Sequence, residues 1–387
     1  MRLLFFGTIL KPSAFAYDAA ANPASTKWLS GLVAALVDLG HEVTLCGHCY
    51  MRAWPKGRLM PGRHEYLDSR FNTRLVRYVN VPGIRFPSLG RGYYLAAKEA
   101  SLGTAFDAIV TYNPYPWHVS AALKIKAEVG LPWISLNLDF DDVGPDWSFF
   151  RQATTGADAH LFLSHWGYEM APVERKLHLD GGISVPPESP TRDPNKTLHV
   201  VYLGKLGKSG GRDILLGLPS CLKNMDVRFT YGGKASGADL EAYRKLAEED
   251  PRVDFRGFVA DDEVQALFQE ADVFINPRDP DAKLNDMVFP SKIHHYLGAG
   301  KPIISTWTRG LSPEYRDLLT VSKDATAEGF AEAVKGFINE KPEAMESHRV
   351  RIRDFVKNGH TWEHQARRFA EFISKPIALE SEASNHE

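Results

Sequence analysis

Short runs of aliphatic and β-branched residues alternate along nearly the whole chain with segments whose apolar residues recur every three or four positions. This alternation constrains the fold more than any single motif. Strands separated by helix-length segments pair in parallel through crossover helices, giving βαβ units and a parallel sheet buried on both faces. In the first half "RLLFF" reads as a strand, a helix follows from near Ser25 to Gly40, and "HEVTLC" reads as the next strand. Leu29, Leu32, Val33, Leu36 and Val37 make one apolar stripe on that helix, and Gly40 stands where a helix C-terminus favours glycine. Further strands are expected at "RLVRYVN", "FDAIVTY", "PWISLNL" and "DAHLFLS".

The alternation breaks once. "LHLDGGISVPPESPTRDPNKT" carries four prolines between Pro186 and Pro194 among glycine and short polar residues, the composition of a linker. It then restarts with "LHVVYL", "DVRFTY", "VDFRG", "ADVFINP" and "KPIIS". A chain of 387 residues divided in this way is expected to be α/β, with two Rossmann-like domains, 1–190 and 191–358, that bind ligands at the carboxyl ends of their strands. The closing "ALESEASNHE" is polar and acidic, and residues 375–387 are expected to be a disordered tail.

Composition excludes several classes. Hydrophobic residues make up 44% and the formal net charge is -2, so neither disorder nor a global attraction to nucleic acid is indicated. Arg2, "LLFFGTIL" and "AFA" at Ala14 to Ala16 imitate a secretory signal, but Lys11-Pro12 interrupts the segment. A first buried strand and a cytoplasmic protein are the expectation. The "CGHC" of Cys46 to Cys49 has redox spacing, yet Pro55 and Gly57 deny it the following helix that would lower a thiol pKa.

Two segments carry phosphate-binding features. "YLGKLGKSGGRDILL", Tyr202 to Leu216, runs from a strand through a glycine-rich turn into a helix. Gly204, Gly207, Gly210 and Gly211 permit close backbone approach, while Lys205, Lys208 and Arg212 supply charge beside a helix N-terminus. The spacing is neither that of a P-loop nor G-x-G-x-x-G, which disfavours a P-loop kinase and a nicotinamide dehydrogenase. In "VFPSKIHHYLGAGKPII", Pro290 suits a first helical position, leaving later N–H groups for an anion. Helical spacing puts Ile293, Tyr296 and Leu297 on one face, and Ser291, His294, His295 and Gly298 on the other, so both histidines are expected to point away from the core.

"YLGKLGKSGG", "DVRFTYGG", "VDFRGFVADDEVQALFQEADVFINPR" and "FPSKIHHYLGAGKPII" resemble, in order and spacing, the nucleotide-sugar domain of GT-B glycosyltransferases of family 4. The resemblance implies two parallel sheets facing a central cleft, and a C-terminal helix, 359–374, crossing back to the N-terminal domain. It implies that Lys205 and Lys208 bind the donor diphosphate and stabilise it as leaving group, with Gly204 and Ser209 in the same turn. Gly257, Phe258 and Val259 then fall where the backbone reads the nucleobase, and Pro290, Ser291 and Lys292 where a helix start meets phosphates or sugar hydroxyls. Met287 and His295 stand where the family usually has two glutamates, and His295 is the remaining candidate for the ribose.

The N-terminal domain is expected to hold the acceptor. "PWISLNLDFDDVGPD" resembles a family segment ending near the reacting centre, which makes Asp139 a catalytic and acceptor-binding candidate, with Asp142 beside it and His118 a further acceptor contact. Between Met51 and Lys98 ten Lys or Arg face only Glu65 and Asp68, with aromatic residues interleaved. Such a surface suits either bulk solvent or peripheral contact with an anionic membrane at its inner face. The resemblance thus implies a retaining transferase that uses a nucleotide diphosphate sugar as co-substrate, with no cofactor or metal, acts on a glycan or lipid-linked acceptor and binds no nucleic acid. A nucleotide-sugar epimerase of the same fold and a catalytically impaired nucleotide-sugar-binding protein remain alternatives.

Overall fold

The computed structural model describes residues 1–11, 23–49, 51–61, 66–138, 147–187, 196–338 and 340–375. Thirteen strands are assigned among them, in two sheets. β1 (Arg2–Phe6), β2 (Glu42–Gly47), β3 (Thr73–Leu75), β4 (Ala108–Tyr112), β5 (Trp133–Asn137), β6 (Ala159–Phe162) and β7 (Lys176–His178) form the first. Its order is β3-β2-β1-β4-β5-β6-β7, every pair parallel. β8 (Leu198–Leu203), β9 (Val227–Gly232), β10 (Val253–Gly257), β11 (Val273–Asn276), β12 (Ile303–Ser305) and β13 (Thr320–Val321) form the second, in the parallel order β10-β9-β8-β11-β12-β13. The fold is therefore α/β with two Rossmann-like units, as the alternation implied.

Continuous apolar runs occupy the middle of each sheet because both faces there are covered. β4, β5 and β6 are buried at every position, and β8 at all but its last. The edges behave differently. β3 is Thr73–Leu75 and so keeps only Arg74 and Leu75 of the expected "RLVRYVN", and β7 and β13, neither of them anticipated, are partly exposed. A strand with one neighbour needs no long apolar run, so it leaves a weak trace in the sequence.

The first unit comprises Met1–Phe162, Ala171–Leu179 and Trp362–Glu387, and the second Leu163–Met170 and Asp180–Thr361. The division thus falls at Asp180 rather than after residue 190. Ile183 explains it, since its side chain packs in the second unit's core with Phe289, Ile293 and Tyr296. The helix Trp362–Ser374 returns to the first unit, where Trp362 meets Trp28 edge-on at 5.9 Å between ring centres. Gly31 makes this possible, because any Cβ there would run into the Trp362 indole.

Cys46 and Cys49 are buried, and burial pushes the Cys46 thiol up to about 12, in keeping with the reading of the "CGHC" run as no redox centre. Another expectation is corrected here. His118 is core. It is 1% exposed, burial pulls its pKa down to about 4, and its Nδ1 lies 3.1 Å from the Tyr112 carbonyl, so it is not an exposed acceptor contact. Asp139 and Asp142 lie outside the described residues, as do Ala14 to Ala16 and the segment 376–387. No helix among the described residues is long and apolar enough to cross a membrane.

Candidate functional site

The candidate site lies in the second unit, at the carboxyl ends of β8 to β11. β8 ends at Leu203 and is followed by Gly204, whose φ of 156° and close neighbours demand glycine. Its N–H bonds to the Gly232 carbonyl at 2.8 Å, and Gly233, with φ 141°, donates to the Gly257 carbonyl at 2.5 Å. A Cβ on Gly233 would collide with the Gly204 carbonyl oxygen. Three strand ends are thus drawn together by backbone hydrogen bonds, at a spacing only glycine allows.

The turn after β8 is pinned from below. Tyr202, fully buried, donates its hydroxyl to the Lys205 carbonyl at 2.7 Å. Gly210 packs so tightly against that carbonyl and the Tyr202 hydroxyl that only glycine fits. A short 3-10 turn, Lys208–Gly210, then leads into the helix Arg212–Cys221. Lys205, Lys208 and Ser209 are exposed on this turn, and Leu206 between them is the buried anchor. Neither lysine has an ion pair among the described residues, so both charges are available to a ligand.

Arg212, by contrast, is committed. It donates to Asp239 at 2.7 Å and to Asp213 at 2.8 Å, and these carboxylates raise its pKa further. It holds the helix Arg212–Cys221 to the helix Ala238–Glu249 instead of offering a third cation.

Lys292 brings the second segment onto the first. Its side chain crosses Gly204 where a Cβ would stand, and Nζ donates to the Tyr202 hydroxyl at 2.7 Å while lying 4.3 Å from the ring centre. Burial, with the charges of Arg278 and Lys205, pulls its pKa down to about 7. Arg278 was not anticipated. It follows β11, donates to Asn285 Oδ1 at 3.0 Å, and has its own pKa lowered by burial. The signal was an arginine directly after "FINP" at a strand's carboxyl end, a place where ligands bind.

The helix Lys292–Gly298 departs from expectation at its start. Ser291 is the N-cap, Pro290 precedes it, and the Pro290 carbonyl accepts from Ile293 N at 2.8 Å, which uses one N–H expected to be free. The two histidines separate: His295 is exposed, while His294 is buried. His294 Nε2 lies 2.8 Å from the Tyr315 hydroxyl, which donates to Asp180 at 2.7 Å. His294 therefore locks the helix to the core. Met287 is buried at 8% exposure and is packing, not a ligand. Phe258 is 75% exposed beyond Gly257, with Lys234 Nζ 6.0 Å from its ring centre, and Val259 packs over Gly232.

A glycine-rich set of strand ends flanked by exposed cations has the composition that suits an oxyanion. Comparison with known families identifies its setting, because residues 197–340 match the family described as Glycosyl transferases group 1. The likeness lies within the second unit. No curated protein sequence matches the chain significantly. Solved structures do match, with the GT-B arrangement. Sucrose-phosphate synthase from Thermosynechococcus elongatus is 14% identical, with TM-score 0.66 over 96% of this chain and 98% of that one. A glycosyltransferase from Rickettsia africae is 12% identical, with TM-score 0.68 over 98% and 99%. Anabaena HepE, solved with UDP and glucose, is 14% identical, with TM-score 0.64 over 97% and 100%. The matched span begins just before β8 and takes in the glycine turn, Arg278 and Lys292.

Proposed function

We propose that the protein transfers a sugar from a nucleoside diphosphate sugar to a hydroxyl of a glycan or lipid-linked acceptor. The observation that carries this reading is the set of exposed, unpaired Lys205 and Lys208 beside the Gly204–Gly233 cradle, within the group 1 domain. Departure of a nucleoside diphosphate leaves negative charge on phosphate oxygens, and cations fixed beforehand at that place lower the barrier. Lys205, Lys208 and Arg278 supply that charge beforehand, and Lys292 stands among them, without calling on a metal. Gly257, Phe258 and Val259 are then in reach of the base, and exposed His295 of the ribose. Retention of configuration belongs to the same reading and follows from the family resemblance.

The acceptor reading concerns the first unit. Trp54, Met60, Ile84 and Phe86 are exposed there, in the segment that carries Arg52, Lys56 and Arg58. Such a surface suits an acceptor carried by an anionic bilayer. The donor reading is tested by calorimetry with UDP, GDP, ADP, TDP and CMP on the wild type and on Lys205→Ala. Selective binding of one nucleoside diphosphate, weakened in the variant, is the expected result. Binding of none of them would overturn the transferase reading. UDP is the first ligand to try, given the bound UDP of HepE.

A further inference from the structure

Among the described lysines near the glycine cradle, Lys205, Lys208 and Lys234 are exposed, whereas Lys292 is half-buried. Its stem covers Gly204, its nitrogen sits on the face and hydroxyl of Tyr202, and the charged groups around it are all cations. From the turn after β8 comes Lys205, and from the end of β11 comes Arg278. Tyr202 faces it from β8 as a hydroxyl already donating to the Lys205 carbonyl. On its own helix, Tyr296 is turned to the Leu203 backbone. No carboxylate among the described residues pairs with Lys292 or Arg278. A buried ammonium ordinarily needs an anion. This site contains the cations and lacks the anion.

We infer that the Lys292 amine takes up a proton when the donor's diphosphate arrives, so that nucleotide-sugar binding and protonation of this one side chain are a single linked event. The inference rests on the proposed donor site and adds its regulation by pH. The physical reason is local. Without ligand, two neighbouring cations and burial disfavour the charged amine, in keeping with a pKa near 7. With a diphosphate among the same groups the sign of the surrounding field reverses, and the charged form becomes the favoured one. The sign of the linkage follows: affinity is greatest below the free-state pKa and declines as pH rises through and above it.

The test uses nucleotide sugars rather than free diphosphates, because their phosphates carry no group that titrates near neutrality. UDP-glucose, ADP-glucose and GDP-mannose are titrated calorimetrically into the full chain at pH 8, in buffers of different ionisation enthalpy, for the wild type, Lys292→Met and Lys292→Arg. From a free pKa of about 7, linkage gives an uptake of about 0.9 proton in the wild type at this pH. Between pH 8 and 9 the Kd should then rise about tenfold. Both variants should bind with no buffer dependence, Lys292→Met more weakly. Lys292→Arg guards against loss of folding in the methionine variant, since its charge is fixed. Binding without proton uptake in the wild type, or uptake that persists in the variants, would overturn the inference while leaving the donor site standing. Absence of any binding would overturn the donor reading itself.

Discussion

The amine nitrogen of Lys292 and the ring of Tyr202 are 90 residues apart in sequence and 4.3 Å apart in space, joined by a 2.7 Å hydrogen bond. Tyr202 in turn donates to the Lys205 carbonyl, so one phenol fixes both the glycine turn and the half-buried lysine.

Removing that phenol oxygen should loosen both. Tyr202→Phe leaves the ring but strips the Lys205 carbonyl and the Lys292 amine of their partner, at a cost of about 1 to 3 kcal/mol in stability. Denaturant unfolding measures this. An unchanged unfolding midpoint would mean that the hydroxyl does not hold the turn.

Lys205 and Lys208 should behave in the opposite way. Both are exposed and free of ion pairs among the described residues, so replacing either by alanine should leave the thermal midpoint within about a degree of wild type. Nucleotide affinity should fall by about 1.5 to 3 kcal/mol per lysine, or roughly 10- to 150-fold. A parallel loss of stability would reassign them to the fold.

Gly31 tests the return of the C-terminal helix. Gly31→Ala inserts a methyl into the space held by the Trp362 ring and should destabilise the first unit by about 1 to 3 kcal/mol. Tryptophan fluorescence should shift as the contact of Trp28 with Trp362 opens. An unaltered spectrum and midpoint would show that the helix is not packed there.

The buried histidines predict acid sensitivity. Burial pulls His118, His160, His199 and His348 down to about 4, so between pH 6.5 and 4 the unfolded chain binds more protons than the folded one. Stability should therefore fall as pH drops below about 6.5, well before the carboxylates titrate. Unfolding free energies at pH 7, 6 and 5 give the slope. A flat profile over that range would show that these rings are charged in the folded state or are exposed.

Thiol chemistry checks the burial of the cysteine motif. Buried Cys46 and Cys49 should stay unreactive toward a disulfide reagent in the folded protein, with half-buried Cys221 the first to be modified. All three should react on unfolding. Fast modification of Cys46 would restore a redox reading.

Much of the fold was legible in the sequence because a central parallel strand must be apolar on both faces, and "RLLFF" or "LHVVYL" shows that locally. The glycine turn was legible for a similar reason, since only glycine meets its backbone demands at Gly204 and Gly210. The edge strands β7 and β13 were not, because half-exposed residues carry no period. The two histidines show the limit within one helix. Spacing placed His294 and His295 together on a polar face, but a seven-residue helix wedged against Tyr315 buries one of them.

What the sequence determined by itself is therefore the local backbone: where strands run, where glycine must turn the chain, and which basic residues stand at the strand ends. Tertiary structure alone decided which of those charges a ligand can use. Arg212 is consumed by Asp213 and Asp239, Lys205 and Lys208 are left in water, and Lys292 is taken out of it beside Arg278. The physical reason is that a side chain's charge state depends on the solvent and neighbours that the fold brings to it, and for Lys292 these are burial first, then Arg278 and Lys205.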